Sequence, residues 1–316
     1  MSHKVDAEVG RILDAAEREG RCARAHTNRG RNALARRREC GQLVSPWPGC
    51  YARATTWGGL ERDARDLMLL KTLTHAHPSY VLAGPSAAIA HGLWVPNALR
   101  GPIHLATSAK AHASHTARIR RHVIEGDEVA HPLGMAATSL ERTVFDCLRA
   151  CNLRLGLPIV DSALRIPGTS PDELRGYFAR MTGGYPGVRR ARETLSRADA
   201  RSGSAGESTL RAALVELGYR TPDLQVMVED PLNPGHPYEV DMGYLLADGT
   251  WLFIEFDGVR KYGTDFEAFA RSECRERRRE SRISLLRQPV LRLGWEDLAC
   301  DRELARLLDA FGAPRA

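Results

Sequence analysis

A short β-forming run in the last third of the chain, WLFIEFDG at 251–258, constrains the fold more than any other feature. Alternate residues of a strand share a face, so Leu252, Ile254 and Phe256 point one way while Glu255 and Asp257 point the other, about 7 Å apart. Core packing does not explain two acids on one face, because burying an unpaired carboxylate costs several kcal/mol. The run therefore predicts a sheet strand whose acidic face meets a positive group.

The segment before this run predicts a partner strand. Residues 238–246 are strand-like and are followed by Asp248-Gly249, a hairpin turn signal. Antiparallel pairing of the two strands would bring Asp241 near Glu255 and Asp257. Three acids are then expected at one place on the sheet.

Two more segments and one lysine complete the predicted site. Residues 224–228 would add a third strand, and a helix over 207–217 would lie across the sheet and bring Glu207 to it. Lys261 follows the acidic strand and supplies a positive group. The predicted catalytic residues are Glu207, Asp241, Glu255, Asp257 and Lys261.

Carboxylates gathered with a lysine are typical of metal-dependent phosphodiester cleavage. Mg²⁺ prefers hard oxygen ligands and keeps several waters. It polarises the phosphate and activates a water, while a lysine beside that water stabilises the developing charge. We therefore expect Mg²⁺ or Mn²⁺ as the cofactor, with Asp241, Glu255 and Asp257 as metal ligands.

The first 56 residues have the pattern of a winged helix-turn-helix. Apolar residues recur at helical spacing between Val5 and Ala16, and further helices are predicted over Ala23–His26 and Asn28–Cys40. Pro46–Gly49 predicts the tight turn of a hairpin that follows. Three short helices and a hairpin make this pattern.

Arginines are concentrated on the third of these helices and just before it. A recognition helix of this kind enters the major groove, where arginine contacts phosphates or guanine edges. Helix, hairpin and charge together favour DNA binding. A solvated helix of no specific role is the alternative. The predicted DNA-binding residues are Arg24, Arg29, Arg31, Arg36, Arg37 and Arg38.

The net charge of +6 and the pI near 9.1 are compatible with an anionic partner. The chain starts without the apolar run of a signal peptide and lacks the roughly 18–20 apolar residues of a membrane span. Its seven cysteines are irregularly spaced, which indicates neither a disulfide framework nor a zinc site. We expect a reduced, cytoplasmic protein.

The middle region, 57–197, is predicted to be mixed with helices dominating, including a helix at 86–90 and a strand at 103–107. Arg142 and Asp146 are spaced as an intrahelical ion pair. Five histidines fit no known ligand spacing, so phosphate or solvent contacts are favoured over a metal site. They are His104, His112, His115, His122 and His131.

Residues 33–53, ALARRRECGQLVSPWPGCYAR, resemble the winged-helix domain of AbiEi-type antitoxins, from the abortive-infection (type IV) toxin–antitoxin family. The resemblance continues at Gly84–Ala88, His91–Leu93, Glu141–Asp146 and Asp161–Leu164. It implies DNA-binding autorepression and antagonism of a nucleotidyltransferase-like toxin. The expected partners are DNA, such a toxin and, in a homodimer, a second copy of the chain, with no membrane.

Residues 203–300 resemble the PD-(D/E)XK nucleases, in the branch of the very-short-patch-repair endonucleases. The matching pieces are Gly206–Ser208, Glu239–Asp241, Ile254–Gly258, Lys261-Tyr262, Glu276–Glu280 and Val290–Leu298. The resemblance implies a metal-dependent endonuclease. Asp257 stands where the family has its lysine, and Lys261 comes four residues later. The alternative is a degenerate nuclease fold kept for binding, in a non-enzymatic antitoxin and autorepressor.

A helix predicted over 269–286 carries six arginines and three glutamates. Some of these arginines would pair with the glutamates at helical spacing, and the remainder would line a phosphate track or a solvated face. Both interpretations stay open.

The fold class expected from all of this is a multidomain α+β or α/β protein. We expect a winged helix-turn-helix over 1–56, an antitoxin-like, mixed helical middle region over 57–197, and a restriction-endonuclease-like α/β domain over 203–316. The small, polar stretch Ala198–Ala205 is predicted to be a linker.

Overall fold

The computed structural model describes residues 3–108, 116–124, 129–181, 184–258, 285 and 287–316. The helices are α1 (His3–Arg18), α2 (Asn28–Glu39), α3 (Ala54–Gly59), α4 (Arg62–Ala76), α5 (Gly84–Ala90), α6 (Leu140–Ala150), α7 (Leu153–Leu164), α8 (Pro171–Arg180), α9 (Val188–Ser196), α10 (Ala205–Glu216) and α11 (Asp301–Ala310). Within these ranges no helix has the length and apolar character needed to cross a membrane.

The strands form a two-stranded, a five-stranded and a four-stranded sheet within the described part of the chain. They are β1 (Leu43–Trp47), β2 (Cys50–Arg53), β3 (Val81–Leu82), β4 (Ile103–Thr107), β5 (Ile119–Val123), β6 (Val129–Ala130), β7 (Ala137–Thr138), β8 (Asp223–Val228), β9 (Tyr238–Leu245), β10 (Trp251–Phe256) and β11 (Val290–Leu293). The expectation of a mixed α and β protein is confirmed.

By their contacts, the residues divide into two compact units. The first comprises Met1–Leu93 and Leu99–Asp146, and the second comprises Trp94–Ala98 and Cys147–Ala316. The three-domain division at 1–56, 57–197 and 203–316 stays a prediction.

In the first unit, α1 and α2 pack over the β1–β2 hairpin. Val9 and Leu13 of α1 are buried with Leu34 of α2, as the apolar spacing predicts. The predicted helix at Ala23–His26 is wrong. Ala23 is extended instead, because both its N–H and its C=O are hydrogen-bonded to the backbone of Tyr51. The N-terminal region therefore has two helices before the hairpin, where three were expected.

A five-stranded sheet in the order β5-β4-β3-β7-β6 forms the rest of the first unit, with α4 and α5 packed against it. The predicted helix at 86–90 and strand at 103–107 are confirmed. The predicted pair in α6 is also confirmed, since Arg142 Nε donates to Asp146 at 2.7 Å and both side chains are buried. The other strands of this sheet were not predicted, because three of them are only two residues long.

The second unit contains the four-stranded sheet, in the order β11-β10-β9-β8. β8–β9 and β9–β10 are antiparallel, and β10–β11 is parallel. The predicted strands at 224–228, 238–246 and 251–257 and the helix at 207–217 are confirmed to within two residues at each end. Leu252, Ile254 and Phe256 enter a core shared with α10 and α11, so the alternation of β10 is also as predicted.

The stretch Ala198–Ala205 is not the predicted linker. Both its ends lie inside the second unit, and Ser202 is fully buried. The backbone N–H of Asp199 donates to the buried carboxylate of Asp161 on α7 at 2.8 Å. The same carboxylate accepts hydrogen bonds from Ser208 and Arg211 of α10, each at 2.6 Å. Burial raises the pKa of Asp161, while these three donors act to lower it. The stretch is thus fixed where α7 and α10 meet.

Candidate functional site on the four-stranded sheet

Asp241 and Glu255 lie on neighbouring antiparallel strands. Asp241 precedes Met242 and Glu255 follows Ile254, and Met242 and Ile254 are paired. The carboxylate of Asp241 accepts the backbone N–H of Phe256 at 2.8 Å. That hydrogen bond fixes one oxygen of Asp241 beside the end of β10. The register thus brings these two predicted site residues together.

Glu255 is held by an arginine that sequence reasoning did not single out. In the parallel pairing of β10 and β11, Glu255 lies beside Arg292. The guanidinium nitrogen Nη2 contacts Oε2 of Glu255 at 2.8 Å, and the Glu255 side chain is only 6% exposed. Without this cation, burial of the charged carboxylate would be strongly unfavourable. Arg292 therefore supplies the positive group that the acidic strand requires.

Asp257 follows β10 and is less enclosed. Its backbone N–H donates to the carbonyl of Leu293 at 2.8 Å, which continues the parallel ladder. Its side chain is 53% exposed, and Oδ1 lies 3.6 Å from Nη1 of Arg292. One guanidinium thus faces both acids of the Glu-x-Asp run. Leu291 and Leu293 of β11 lie in the core, so the alternation of this strand leaves Arg292 on the acidic face.

Glu207 is presented by the first turn of α10. Ser204 caps this helix by accepting the backbone N–H of Glu207 at 3.1 Å. The Glu207 carboxylate is buried and accepts hydrogen bonds from the N–H of Gly203 at 2.7 Å and from Nε2 of Gln225 at 3.1 Å. Glu207 is thereby fixed to β8.

Gln225 joins Glu207 to the acids of the sheet. It lies between Leu224 and Val226, whose partners Met242 and Val240 flank Asp241 on the adjacent strand. Its backbone has a φ of 53°, in the left-handed region that a non-glycine residue rarely adopts. Sequence reasoning missed Gln225, because a polar residue on a half-buried strand gives no specific signal.

These four acids, here called the acidic row, follow the order of the strands: Glu207 of α10 is hydrogen-bonded to Gln225 of β8, Asp241 is in β9, and Glu255 and Asp257 are at the end of β10. Lys261, the predicted catalytic lysine, lies outside the described residues, as do residues 269–284 of the predicted Arg-rich helix. The described residues contain no group of three His, Cys, Asp or Glu side chains placed to hold a metal ion. Mg²⁺ is usually bound through one or two carboxylates together with waters and phosphate oxygens, and adjacent carboxylates on two strands fit that requirement.

The predicted DNA-binding arginines differ in their surroundings. Arg29, Arg36 and Arg38 of α2 are exposed, and within the described ranges their side chains form no hydrogen bond or ion pair. Arg31 donates to the side chain of Asn28 at 2.6 Å. Arg37 is tied to the fold by an ion pair with Asp6 and a hydrogen bond to the carbonyl of Ala33.

Arg24, also predicted to bind DNA, lines a cavity of the first unit and precedes α2. The exposed basic side chains of α2 itself are therefore Arg29, Arg31, Arg36 and Arg38, of which Arg31 is hydrogen-bonded to Asn28.

Two of the five histidines noted in the middle region are in contact. Nδ1 of His104 and Nε2 of His122 are 2.8 Å apart on paired strands, and the rings are stacked. Burial lowers the pKa of His104 to about 4, with smaller effects from His122 and Arg120. His112 and His115 lie outside the described residues. The contact between His104 and His122 is a hydrogen-bonded pair packed in the sheet.

Comparison with models of protein families gives no match, and no curated protein matches the chain significantly. The function of the chain is therefore inferred from the site itself.

Proposed function

We propose that this chain is a cytoplasmic DNA-binding protein that hydrolyses phosphodiester bonds with Mg²⁺ or Mn²⁺ at the acids of its four-stranded sheet. The observation that carries the proposal is the row of acids in which Asp241 and Glu255 are neighbours and Glu207 is buried beside them through Gln225. Acids on one face of a strand have no role in the apolar core on the other face. The loss of stability that comes from burying these charged carboxylates needs a functional explanation.

Asp241 and Glu255 would hold the cation, and Asp257, the third predicted ligand, is exposed at the end of β10. One oxygen of Asp241 accepts the N–H of Phe256, and an ionised carboxylate has about four lone-pair sites, enough to bind a cation as well. When bound, the cation polarises the scissile phosphate and lowers the pKa of a water. Lys261 would assist that water, whose oxygen forms the new bond to phosphorus as the bond to the leaving oxygen breaks. Arg292 would stabilise negative charge on the phosphate once the cation takes its place beside Glu255.

DNA is favoured as the substrate by the basic surface of α2. Arg29, Arg36 and Arg38 are exposed and lack intramolecular partners in the described part of the chain, so no protein contact must be broken before they meet phosphates.

A second candidate is a non-enzymatic DNA-binding antitoxin and autorepressor, acting against a nucleotidyltransferase-like toxin. The ion pair between Arg292 and Glu255 favours it, because a carboxylate already neutralised by a guanidinium is stable without a cation. In that case the acid row would be a remnant of a nuclease site used for binding.

The two candidates are separated by cleavage of supercoiled and linear DNA with Mg²⁺ or Mn²⁺. We expect the native protein to cleave, and Asp241→Asn with Glu255→Gln to abolish cleavage while retaining DNA binding. Glu303→Gln, which removes an exposed carboxylate from α11 of the same unit, is the matched control and should cleave normally. Equal cleavage by native protein and double variant would reject the site. DNA binding without cleavage under any of these conditions would favour the antitoxin.

The DNA surface is tested by the salt dependence of binding. Replacing Arg29, Arg36 and Arg38 by Ala should weaken binding and reduce the slope of log K against log salt by about one for each phosphate that is no longer neutralised. Replacing the exposed Arg175, Arg302 and Arg306 of the second unit by Ala makes the same change in charge elsewhere. Equal effects of the two triple variants would remove α2 from the DNA-binding surface.

A further inference from the structure

A cavity of about 480 Å³ opens in the first unit, and none of its lining residues belongs to the acidic row. It is bounded by the second half of α1, by the extended segment 21–26 and by the last turns of α4. Small-molecule sites typically enclose about 300–1,000 Å³. The cavity is therefore large enough for a ligand the size of a mononucleotide.

Small side chains on two helices leave this space open. Ile12, Ala15 and Ala16 face it from α1, at the i, i+3, i+4 spacing of one helix face. Thr72, His75 and Ala76 face it from α4 at the same spacing. Three of these six side chains are alanines, so the walls offer an apolar surface without filling the volume.

The other lining residues carry positive or polar groups. Arg21, Arg24, His26 and His75 line the cavity, and the described lining includes no Asp or Glu. Arg21 is paired with Glu19, which lies outside the lining. Arg24 is half-buried and, within the residues described, has no hydrogen bond or ion pair. Arg24, whose guanidinium has no acid partner among the described residues, selects an anion, because arginine binds phosphate oxygens through paired N–H donors.

The floor of the cavity is fixed and chemically inert. The backbone N–H of Cys22 donates to Oγ1 of Thr72 at 2.7 Å, which ties segment 21–26 to α4. Burial raises the pKa of the Cys22 thiol to about 12, so this thiol stays protonated at neutral pH and is a poor nucleophile. The cavity is built to bind a ligand without covalent chemistry.

We propose that this cavity binds a small phosphorylated molecule with an apolar body of about nucleoside size. The phosphate meets Arg24 and Arg21, and the body lies against the alanines of α1 and α4. The site lies outside the acidic row and does not depend on the proposed hydrolysis. Arg24, predicted from the sequence to bind DNA, would then belong to a ligand site next to α2.

The probe is adenosine monophosphate, titrated calorimetrically into the full chain. We expect saturable binding, weakened about tenfold or more by Arg24→Gln, which removes a charge-assisted hydrogen bond. Arg62→Gln, at an exposed position of α4 outside the cavity lining, is the matched control and should bind as the native protein does. Ala76→Leu narrows the cavity without changing its charge and should also weaken binding. Thermal melting of each variant shows whether it is folded. The proposal is tested by Arg24→Gln, by Ala76→Leu, or by both, according to which of them folds.

Adenosine, inorganic phosphate and a short DNA duplex are the comparison ligands. The proposal predicts weaker binding of adenosine and of phosphate than of the monophosphate, since each lacks half of the binding groups. Equal binding of the monophosphate by native protein and both cavity variants would overturn it. The proposal would also be overturned if no binding were detected up to about 10 mM, because a dissociation constant above that concentration is too weak to be useful. If Arg24→Gln weakens only duplex binding, Arg24 serves DNA and the small-molecule site is rejected.

Discussion

Three acids of the row are held by different kinds of partner. Asp241 accepts a backbone N–H, Glu207 accepts a backbone N–H and an amide, and Glu255 meets a guanidinium. A full cation neutralises a buried carboxylate more effectively than a neutral donor does. Among these contacts, the one between Arg292 and Glu255 should therefore contribute most to the stability of the second unit.

Replacing Arg292 by Gln tests this directly. The change leaves Glu255, 6% exposed, without its guanidinium, and we expect the free energy of unfolding to fall by about 2–3 kcal/mol. Arg175→Gln breaks the exposed pair with Asp172 on α8 and should cost less than about 1 kcal/mol. Urea unfolding of both variants gives the comparison. Equal losses would mean that Glu255 does not depend on Arg292.

His104 should make the protein less stable in acid. Its pKa in the fold is about 4 against an ordinary 6.5, so between these values the unfolded chain binds a proton that the folded chain does not. The free energy of unfolding should therefore decrease as pH falls through this window, by up to about 3 kcal/mol. His104→Gln should flatten the dependence, measured by urea unfolding at several pH values.

Among the elements, α10 is placed by one close contact. A Cβ at Gly206 would lie 2.0 Å from Cε1 of Phe256 on β10. Only glycine lets the start of the helix approach the strand, and Glu207 is the next residue. The position of Glu207 beside the sheet thus depends on Gly206.

Gly206→Ala should destabilise the protein by about 2 kcal/mol through overpacking. Gly10→Ala, inside α1 with open space around the added methyl group, should instead stabilise it by about 0.5–1 kcal/mol. Thermal or urea unfolding distinguishes the two signs. If adding Phe256→Leu to Gly206→Ala restores none of the loss, the proposed clash is not its cause.

The elements around the site could be predicted because their patterns are local. Alternation defined β9 and β10, Asp248-Gly249 marked their turn, and helical spacing located α10. The failures were tertiary. Ala23–His26 was expected to be helical, but Ala23 pairs with Tyr51, which lies 28 residues away. The stretch Ala198–Ala205 has the composition of a linker, yet a buried carboxylate on α7 fixes it.

For the whole molecule, acids and exposed arginines are separated along the chain. Asp241 and Glu255 belong to the second unit, while the exposed arginines of α2 belong to the first. Sequence alone predicted both groups, because each follows from residue type and period. It could not predict Arg292 or Gln225 as partners, because those contacts depend on the register between strands that are distant in sequence. The first unit therefore carries the exposed arginines of α2, and the second unit carries the row of carboxylates.

Asp241 and Glu255 are proposed to form one divalent-cation centre. Calorimetric titration of Mn²⁺ into the full chain measures whether that centre binds a cation. We expect one saturable site that is lost in the Asp241→Asn, Glu255→Gln double variant and retained in Glu303→Gln. Binding of Mn²⁺ that is unchanged in the double variant, or no binding by the native protein, would contradict it.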